Sequence, residues 1–505
     1  MKTMGRRPLR PARFILALSL AVACEATSLT RAIDRLLASS PAARGALWGI
    51  QVTDLKTGRT LYQLNSERHF VPASNTKLFT TALALMRLGP QTTFETRVTA
   101  EQGPDASGCI HGSLRLVGGG DPNLSARVVP YQPEPSRAAP ATGSALAALA
   151  ELADQVAAKG VKCIDGGIIG DDTWYVWEPY VDGWSIDDPT YDYGAAVSAL
   201  AVNDNTVTVT VSPGAREGDP AAIALNPAVD YYVIANHIRT AAGGAGERLI
   251  HVYRAPGSLE VELSGTIAPG APSQDIALGI QDPARYAALA LRQLLQARGI
   301  TVGGEASARH TAAGETVAAP LAGDPIILAR RVSAPLVEDL RITDKASQNL
   351  HAEMALRAVG RARRGVGSRA AGLDELRAFL TDVGVDRASY DIEDGSGLSR
   401  LNLVTPAAVV KLLRYMYDSP ERDTWISFLP VAGRDGTLAG RFDDTPAAGR
   451  IHAKTGSHTH VNALSGYAQR RNGSWVAFSI LVNNSNQSAA AVRAVMDRIC
   501  ILIWK

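Results

Sequence analysis

Cysteine is scarce in this chain: four among 505 residues, so at most two disulfides can form and the fold must rest mainly on apolar packing. Charge of one sign is missing as well. Fifty-one Lys and Arg oppose 49 Asp and Glu, and no basic stripe stands out, which argues against a nucleic-acid surface. There is no solenoid period and no low-complexity tract, which excludes a repeat architecture. The apolar run Phe14 to Ala23 is too short to span a bilayer.

What is present is the balance of an ordinary globular protein, with 46% hydrophobic and 20% charged residues. At roughly 100 to 200 residues per domain, the length corresponds to two to four domains with ample core. Lys2, Arg6, Arg7, Arg10 and Arg13 precede the short apolar run, and Ala21-Val22-Ala23 ends it with small residues. That is the pattern of a secretory leader over 1–23, so export is expected. Its removal takes away five cations and no anions, and the formal +2 falls to −3. Cys24 directly after it leaves a lipid-modified N-terminus open, although Ala21 stands where lipoprotein leaders usually carry leucine.

Three short patterns carry the chemistry: Ser74-Asn75-Thr76-Lys77, Ser347-Gln348-Asn349 and Lys454-Thr455-Gly456. A serine three residues before a lysine on a helix shares its face, so hydroxyl and amine can meet. A lysine desolvated beside other positive charge loses proton affinity and can serve as the base that a serine nucleophile needs. Each pattern alone is weak, and Lys56-Thr57-Gly58 is a second Lys-Thr-Gly in a turn between two strand-like runs. Context favours the later copy. Lys77 to Met86 reads as an apolar helix starting beside Ser74, Leu350 to Leu356 reads as a helix after Ser347, and Val461 to Ala468 and Trp475 to Val482 read as a hairpin across Asn472-Gly473. Two patterns therefore sit on helices and one on a strand, as a cleft between a sheet and a helical cluster requires.

In this order the patterns resemble the Ser-x-x-Lys, Ser-x-Asn, Lys-Thr-Gly set of penicillin-binding enzymes. Gly118 to Leu124, Gly194 to Leu200, Asp394 to Arg400 and Gly433 to Leu438 extend the likeness, specifically to the peptidase S13 family of D-alanyl-D-alanine carboxypeptidases and endopeptidases, the penicillin-binding protein 4 type. Ser74 and Ser347 stand 273 positions apart (347 less 74), far more than one helical subdomain needs. The resemblance implies an α+β fold: a serine β-lactamase/transpeptidase-like domain, its antiparallel sheet covered by helices on both sides, with two nested inserted domains. The expected division is 27–95 and 322–505 for the catalytic domain, 96–211 and 267–321 for the inserted domain, and 212–266 for the domain nested within it.

The same resemblance assigns roles. Ser74 is the expected nucleophile and Lys77 its base. Ser347 relays the proton to the leaving amine, and Asn349 holds the substrate backbone. Lys454 and Thr455 face the terminal carboxylate, and the N–H groups of Ser74 and Ser457, beside Gly456, form the oxyanion hole. Peptidoglycan stem peptides and β-lactams are the expected partners, with no metal or organic cofactor and no nucleic acid. The oligomeric state is not legible. A β-lactamase and a catalytically silent wall-binding protein are the competing readings.

Other residues invite other readings. His69 and Asp54 would complete a Ser-His-Asp set, but no Gly-x-Ser-x-Gly turn surrounds Ser74. His452, His458 and His460 cluster at the third pattern without accompanying zinc ligands and read as a loop beside the cleft. Trp174, Trp177 and Asp172 either line the cleft or serve as core and turn residues, the latter being favoured. Cys109 and Cys163 open similar strand-like stretches and are expected to pair in an exported protein. Cys500 reads as a small core residue.

Overall fold

The computed structural model describes residues 28–132, 144–241, 250–315 and 325–505. The expected leader, Cys24 and most of the Pro- and Ala-rich stretch 129–142 lie outside these residues. Its organising element is a five-stranded antiparallel sheet in the order Ile451–His458, Val461–Gln469, Trp475–Asn483, Leu47–Asp54, Thr60–Leu64. The hairpin turn at Asn472-Gly473 is closed by the Arg470 N–H donating to Ser474 O at 2.8 Å, with Gly473 at φ +84°. The two strands it joins are buried almost end to end rather than alternating, because helices cover both faces. On one face the helix 28–39 and the C-terminal helix Ala489–Trp504 pack Ile33, Leu36, Ile499 and Cys500 against Ile50 and Ile480. On the other, the helices Lys77–Leu88, Asn349–Arg364 and Pro406–Asp418 bring Phe79, Leu356 and Leu413 against Ala477 and Leu481. The expected fold class is the observed one.

Between Leu88 and Leu336 the chain leaves this domain. A second five-stranded sheet runs Ala306–Thr311, Ile168–Val176, Leu114–Val117, Glu95–Ala100, Ile326–Val332, packed with the helices Ala147–Ala158 and Pro283–Gln296. Cys109 and Cys163 lie directly opposite each other on paired parallel strands and are joined by a disulfide. Strand pairing moves the expected borders. Ile326–Val332, assigned from sequence to the catalytic segment 322–505, is the edge strand of the inserted sheet and pairs with Glu95–Ala100. Gln274–Gly279 and all of Thr206–Ser212 except Ser212 lie outside the expected nested segment 212–266, yet the two strands pair with each other and Thr206–Ser212 with Ala222–Asn226, making one of two three-stranded sheets there. Both shifts share a cause: segments that leave and re-enter a domain as neighbouring strands are recognisable only once paired. Among the described residues no helix is long and apolar enough to cross a membrane.

The insert is clamped to the helix Asn349–Arg364 beside the cleft. Tyr175, Val197 and Ala199 pack on Leu350, Met354 and Ala358. At the same seam fully buried His351 lies 2.6 Å from Asp339 Oδ1 through Nδ1 and 3.0 Å from Asp204 Oδ1 through Nε2, and Asp204 also meets Arg127 of the insert. Burial alone would depress this imidazole's pKa, but the two carboxylates outweigh it and raise the pKa to about 9. A folded-state pKa above the unfolded value near 6.5 gives stability that is complete below about pH 6.5 and lost as pH rises through about 9. The melting-temperature gap between wild type and His351→Gln is therefore expected to be widest near pH 6 and to narrow as pH rises from about 6.5 through about 9; a gap independent of pH would show that folding does not shift the His351 pKa.

Candidate active site

Ser74 lies in a single tight turn, Ala73–Thr76, that feeds directly into the helix Lys77–Leu88. Ala73 holds a positive φ of +47°, and the turn is pinned by Thr76 Oγ1 donating to Ala73 O at 3.0 Å and Asn75 Nδ2 donating to Lys454 O at 2.9 Å. The first and third sequence patterns are thus bonded to each other. Two glycines permit the contact. A Cβ on Gly456 would lie 2.7 Å from Pro72 O and 3.1 Å from Ser74 N, and one on Gly397, itself at φ +84°, would lie 2.0 Å from Ala73 O. Only bare backbone fits on either side of the nucleophile turn.

Lys77 is fully buried, and its Nζ lies 3.0 Å from Ser74 Oγ, 2.5 Å from Asn349 Oδ1 and 2.6 Å from Ser396 O. Asn349 is oriented by its Nδ2 donating to Tyr193 O at 2.8 Å, which leaves Oδ1 to accept from the amine. Two of the three neighbours are acceptors only. A neutral amine has two N–H donors for them and one lone pair left, which faces the Ser74 hydroxyl. Burial, and then the charge of Lys454, hold the Lys77 pKa well below the usual lysine range. Asp394, Asp344 and Glu353 act in the opposite sense without reversing the shift, so Lys77 gives up its proton more easily than a solvated lysine does.

Ser347, at φ +62°, ends the turn between the helices Leu336–Lys345 and Asn349–Arg364 and accepts a hydrogen bond from Lys454 Nζ at 2.8 Å. Lys454 also donates to Thr455 O at 3.0 Å and has no solvent exposure, and desolvation lowers its pKa. Buried Asp344 sits beside both lysines, its carboxyl pushed up by burial and accepting from Thr81 Oγ1 at 3.0 Å. Thr455 Oγ1 donates to Thr437 Oγ1 at 2.7 Å. The loop carrying Thr437 is fixed by Lys345 Nζ, 2.7 Å from both oxygens of Asp435. A cavity of about 400 Å³ opens over this array, lined by Ser74, Ser347, Thr437, Thr455, Ser457 and Arg493 among others.

A family model described as D-Ala-D-Ala carboxypeptidase 3 (S13) matches residues 29–501. The chain belongs to the peptidase S13 family. As a member it is a serine-type D-Ala-D-Ala carboxypeptidase. It is 37% identical over 96% of its length to a D-alanyl-D-alanine carboxypeptidase of Actinomadura sp. (strain R39), of which it covers 86%. The D-alanyl-D-alanine carboxypeptidase DacB of Haemophilus influenzae is 24% identical over 87% of this chain and 86% of that protein. The crystal structure of penicillin binding protein 4 from H. influenzae superposes with a TM-score of 0.78 at 23% identity, covering 94% of this chain and 98% of that one, which shows a shared fold.

The S13 structure rearranges some of the roles expected from sequence. Lys454, expected to face a substrate carboxylate, is buried on the strand Ile451–His458 with its Nζ donating to Ser347 Oγ, which lines the cavity. Asn349 was expected on the substrate backbone, yet both ends of its amide have protein partners. Cysteine and histidine readings resolve too. Cys500 is buried in the C-terminal helix, and His69 is exposed with its ring on Ala388 O, away from a Ser-His-Asp set. Asp54 accepts from the Thr57 N–H and hydroxyl, so Lys56-Thr57-Gly58 is a surface turn. His452 is half-buried with its pKa lowered to about 4 by desolvation, while His458 and His460 bond to Gly397 O and Ser485 O. Asp172 and Trp177 both engage His310, and Trp174 meets the Arg361 guanidinium at 4.3 Å. None of the three lines the cavity.

Sequence reasoning gave no role to Ser396, Asp344, Glu353, Arg441 or Arg493. The Asp394 to Arg400 stretch was flagged as a likeness, but a backbone carbonyl acting on Lys77 leaves no side-chain signature. We expect Lys454→Ala to lower the peptidase rate by several orders of magnitude, because it leaves Ser347 Oγ without its donor and buried Asp344 without the nearby positive charge. Lys56→Ala should stay within about a factor of two, as an exposed turn charge is worth under about 1 kcal/mol. Rates of both variants on a D-Ala-D-Ala peptide check this, and the reverse ranking would reassign the third motif.

Proposed function

We propose that this S13 carboxypeptidase works through an acyl-serine intermediate, on D-Ala-D-Ala termini and on D-Ala to diaminopimelate cross-links of peptidoglycan, outside the cytoplasm. The observation that carries the mechanism is the buried Lys77 amine 3.0 Å from Ser74 Oγ, with its other two neighbours both acceptors. Ser74 Oγ attacks the carbonyl carbon of the penultimate D-Ala as its proton passes to Lys77 Nζ. The oxyanion is received by the N–H groups of Ser74 and Ser457, where Gly456 lets the strand edge abut the nucleophile turn. Collapse breaks the C–N bond, and the proton held on Lys77 Nζ passes to the leaving amine through Ser347 Oγ, which Lys454 Nζ polarises at 2.8 Å, so that Lys77 is neutral again. Water then attacks the ester with Lys77 as base, releasing the acid and the free hydroxyl.

Both proposed substrates fit this sequence, since each presents an acyl D-Ala and an amine leaving group bearing an α-carboxylate. Penicillins fit it too: opening of the lactam by Ser74 forms the same kind of ester. H. influenzae penicillin binding protein 4, which shares this fold, has been crystallised in complex with a β-lactam. Export is supported by the basic, then apolar, then small-residue N-terminus and by the disulfide, which belongs to oxidising compartments.

Ser74→Ala removes one oxygen from a half-buried site and should leave the fold intact while abolishing covalent labelling by a fluorescent penicillin. A penicilloyl adduct of the expected mass on the variant would refute the nucleophile. Digestion of purified cross-linked muropeptides by the wild type should yield both D-alanine and uncross-linked monomers, and release of D-alanine alone would restrict the enzyme to carboxypeptidase action.

A further inference from the structure

Two stretches of left-handed backbone meet at one seam beside the cleft. Asn203, Asp204 and Asn205 of the insert hold φ values of +51°, +54° and +52°, and Ser347 of the catalytic domain holds +62°. Residues other than glycine seldom enter this region, and a run of three persists only where the surroundings dictate it. Here they do: Asn203 Nδ2 donates to Thr206 O at 3.0 Å, Asn205 Nδ2 to Ala196 O at 2.9 Å, and the Ile280 N–H to Asn205 O at 2.8 Å. So held, the turn presents Asp204 Oδ2 to Gln348 Nε2 at 2.9 Å and to Arg127, and Oδ1 to His351 Nε2 at 3.0 Å. Gln348 stands between Ser347 and Asn349 at the start of the helix Asn349–Arg364, where a short polar side chain would cap the free N–H groups. Its own side chain makes no such cap and is spent on the insert.

We propose that Asp204 of the insert is a positioning residue for the reaction: through Gln348 it holds the backbone of Ser347 so that the hydroxyl can hand the proton to the leaving amine. This rests on the reading of Ser347 as that relay. Lys454 Nζ meets Ser347 Oγ at 2.8 Å, which orients the hydroxyl but does not fix the backbone that carries it. Asn349, on the other side of Gln348, is tied to the same insert through Tyr193 O, so the motif takes its place from outside its own domain. A proton relay needs its heavy atoms within about 2.6–3.2 Å of one another, so slack at Ser347 is felt in proton delivery. Attack by Ser74, which sits on a separate turn, is spared.

The test sets an acyl-D-Ala-D-Ala peptide against a thiolester of the same acyl group, whose C–S bond breaks to release a thiolate that needs no proton from Ser347. Gln348→Leu keeps roughly the side chain's size and removes its amide. It is expected to lower kcat/KM on the peptide about 10- to 100-fold, through kcat rather than KM, and on the thiolester by under about threefold, since a positioned general acid is worth about 10²- to 10⁴-fold. Gln348→Glu sets two carboxylates against each other and should also be slow on the peptide; adding Asp204→Asn reverses the hydrogen bond and should recover part of the rate. Equal losses of Gln348→Leu on both substrates, no loss on the peptide, or no recovery in the paired variant would overturn the assignment. Ser347→Ala tests the relay separately and should lose more on the peptide than on the thiolester. Equal losses there would overturn the relay reading, and the assignment with it.

Discussion

One nitrogen gathers this catalytic site. Lys77 Nζ is met by the nucleophile turn through Ser74, by the helix Asn349–Arg364 through Asn349, and by the loop Asp394–Gly397 through the Ser396 carbonyl. The helix and the loop lie 272 and 319 residues beyond Lys77 in the chain, and each must hold position for the amine to stay buried and fully hydrogen-bonded. Much of the surrounding polar structure does that work. Glu353, fully buried, accepts the N–H groups of both Gly395 and Ser396 at 2.9 Å, while its other oxygen pairs with Arg357. Asp394 accepts from the Gly397 and Ser399 N–H groups, from Asn402 and from Trp184 Nε1. A carbonyl aimed at an amine is only as well placed as the loop that bears it.

The insert belongs to this arrangement rather than hanging beside it. Trp184 and the Tyr193 carbonyl come from the inserted region, and they orient Asp394 and Asn349 respectively. The His351 cluster with Asp339 and Asp204 fastens the same region to the helix that begins with Asn349. Ion pairs as buried as this return little net stability, because desolvation offsets the attraction. Their strict geometry instead fixes how the insert meets the catalytic domain. On the strand side buried Lys454 donates to Ser347, with the buried Asp344 carboxyl of the helix Leu336–Lys345 nearby. Two desolvated amines therefore stand near the nucleophile; burial lowers the proton affinity of both, and the charge of Lys454 lowers that of Lys77 further.

The amino-acid sequence by itself determined the local chemistry: a hydroxyl and an amine three residues apart, the Asn472-Gly473 hairpin that builds the central strands, the apolar runs that make them core, and the order of three motifs that marks the S13 family. These signals are short-range, and spacing along a helix or strand fixes their geometry. It also placed Cys109 and Cys163 on matching stretches. What it left open, the tertiary structure decided. Lys454 and Asn349 turned inward because their partners, Ser347 and Lys77, come from other segments. Ile326–Val332 joined the inserted sheet because its hydrogen-bonding partner is Glu95–Ala100, more than two hundred residues earlier. Arg493 reached the cleft only because the C-terminal helix packs behind the strand that carries Ser457. Nothing in a residue's immediate neighbours encodes which distant backbone or side chain will satisfy it; that is settled when burial forces each polar group to find a partner.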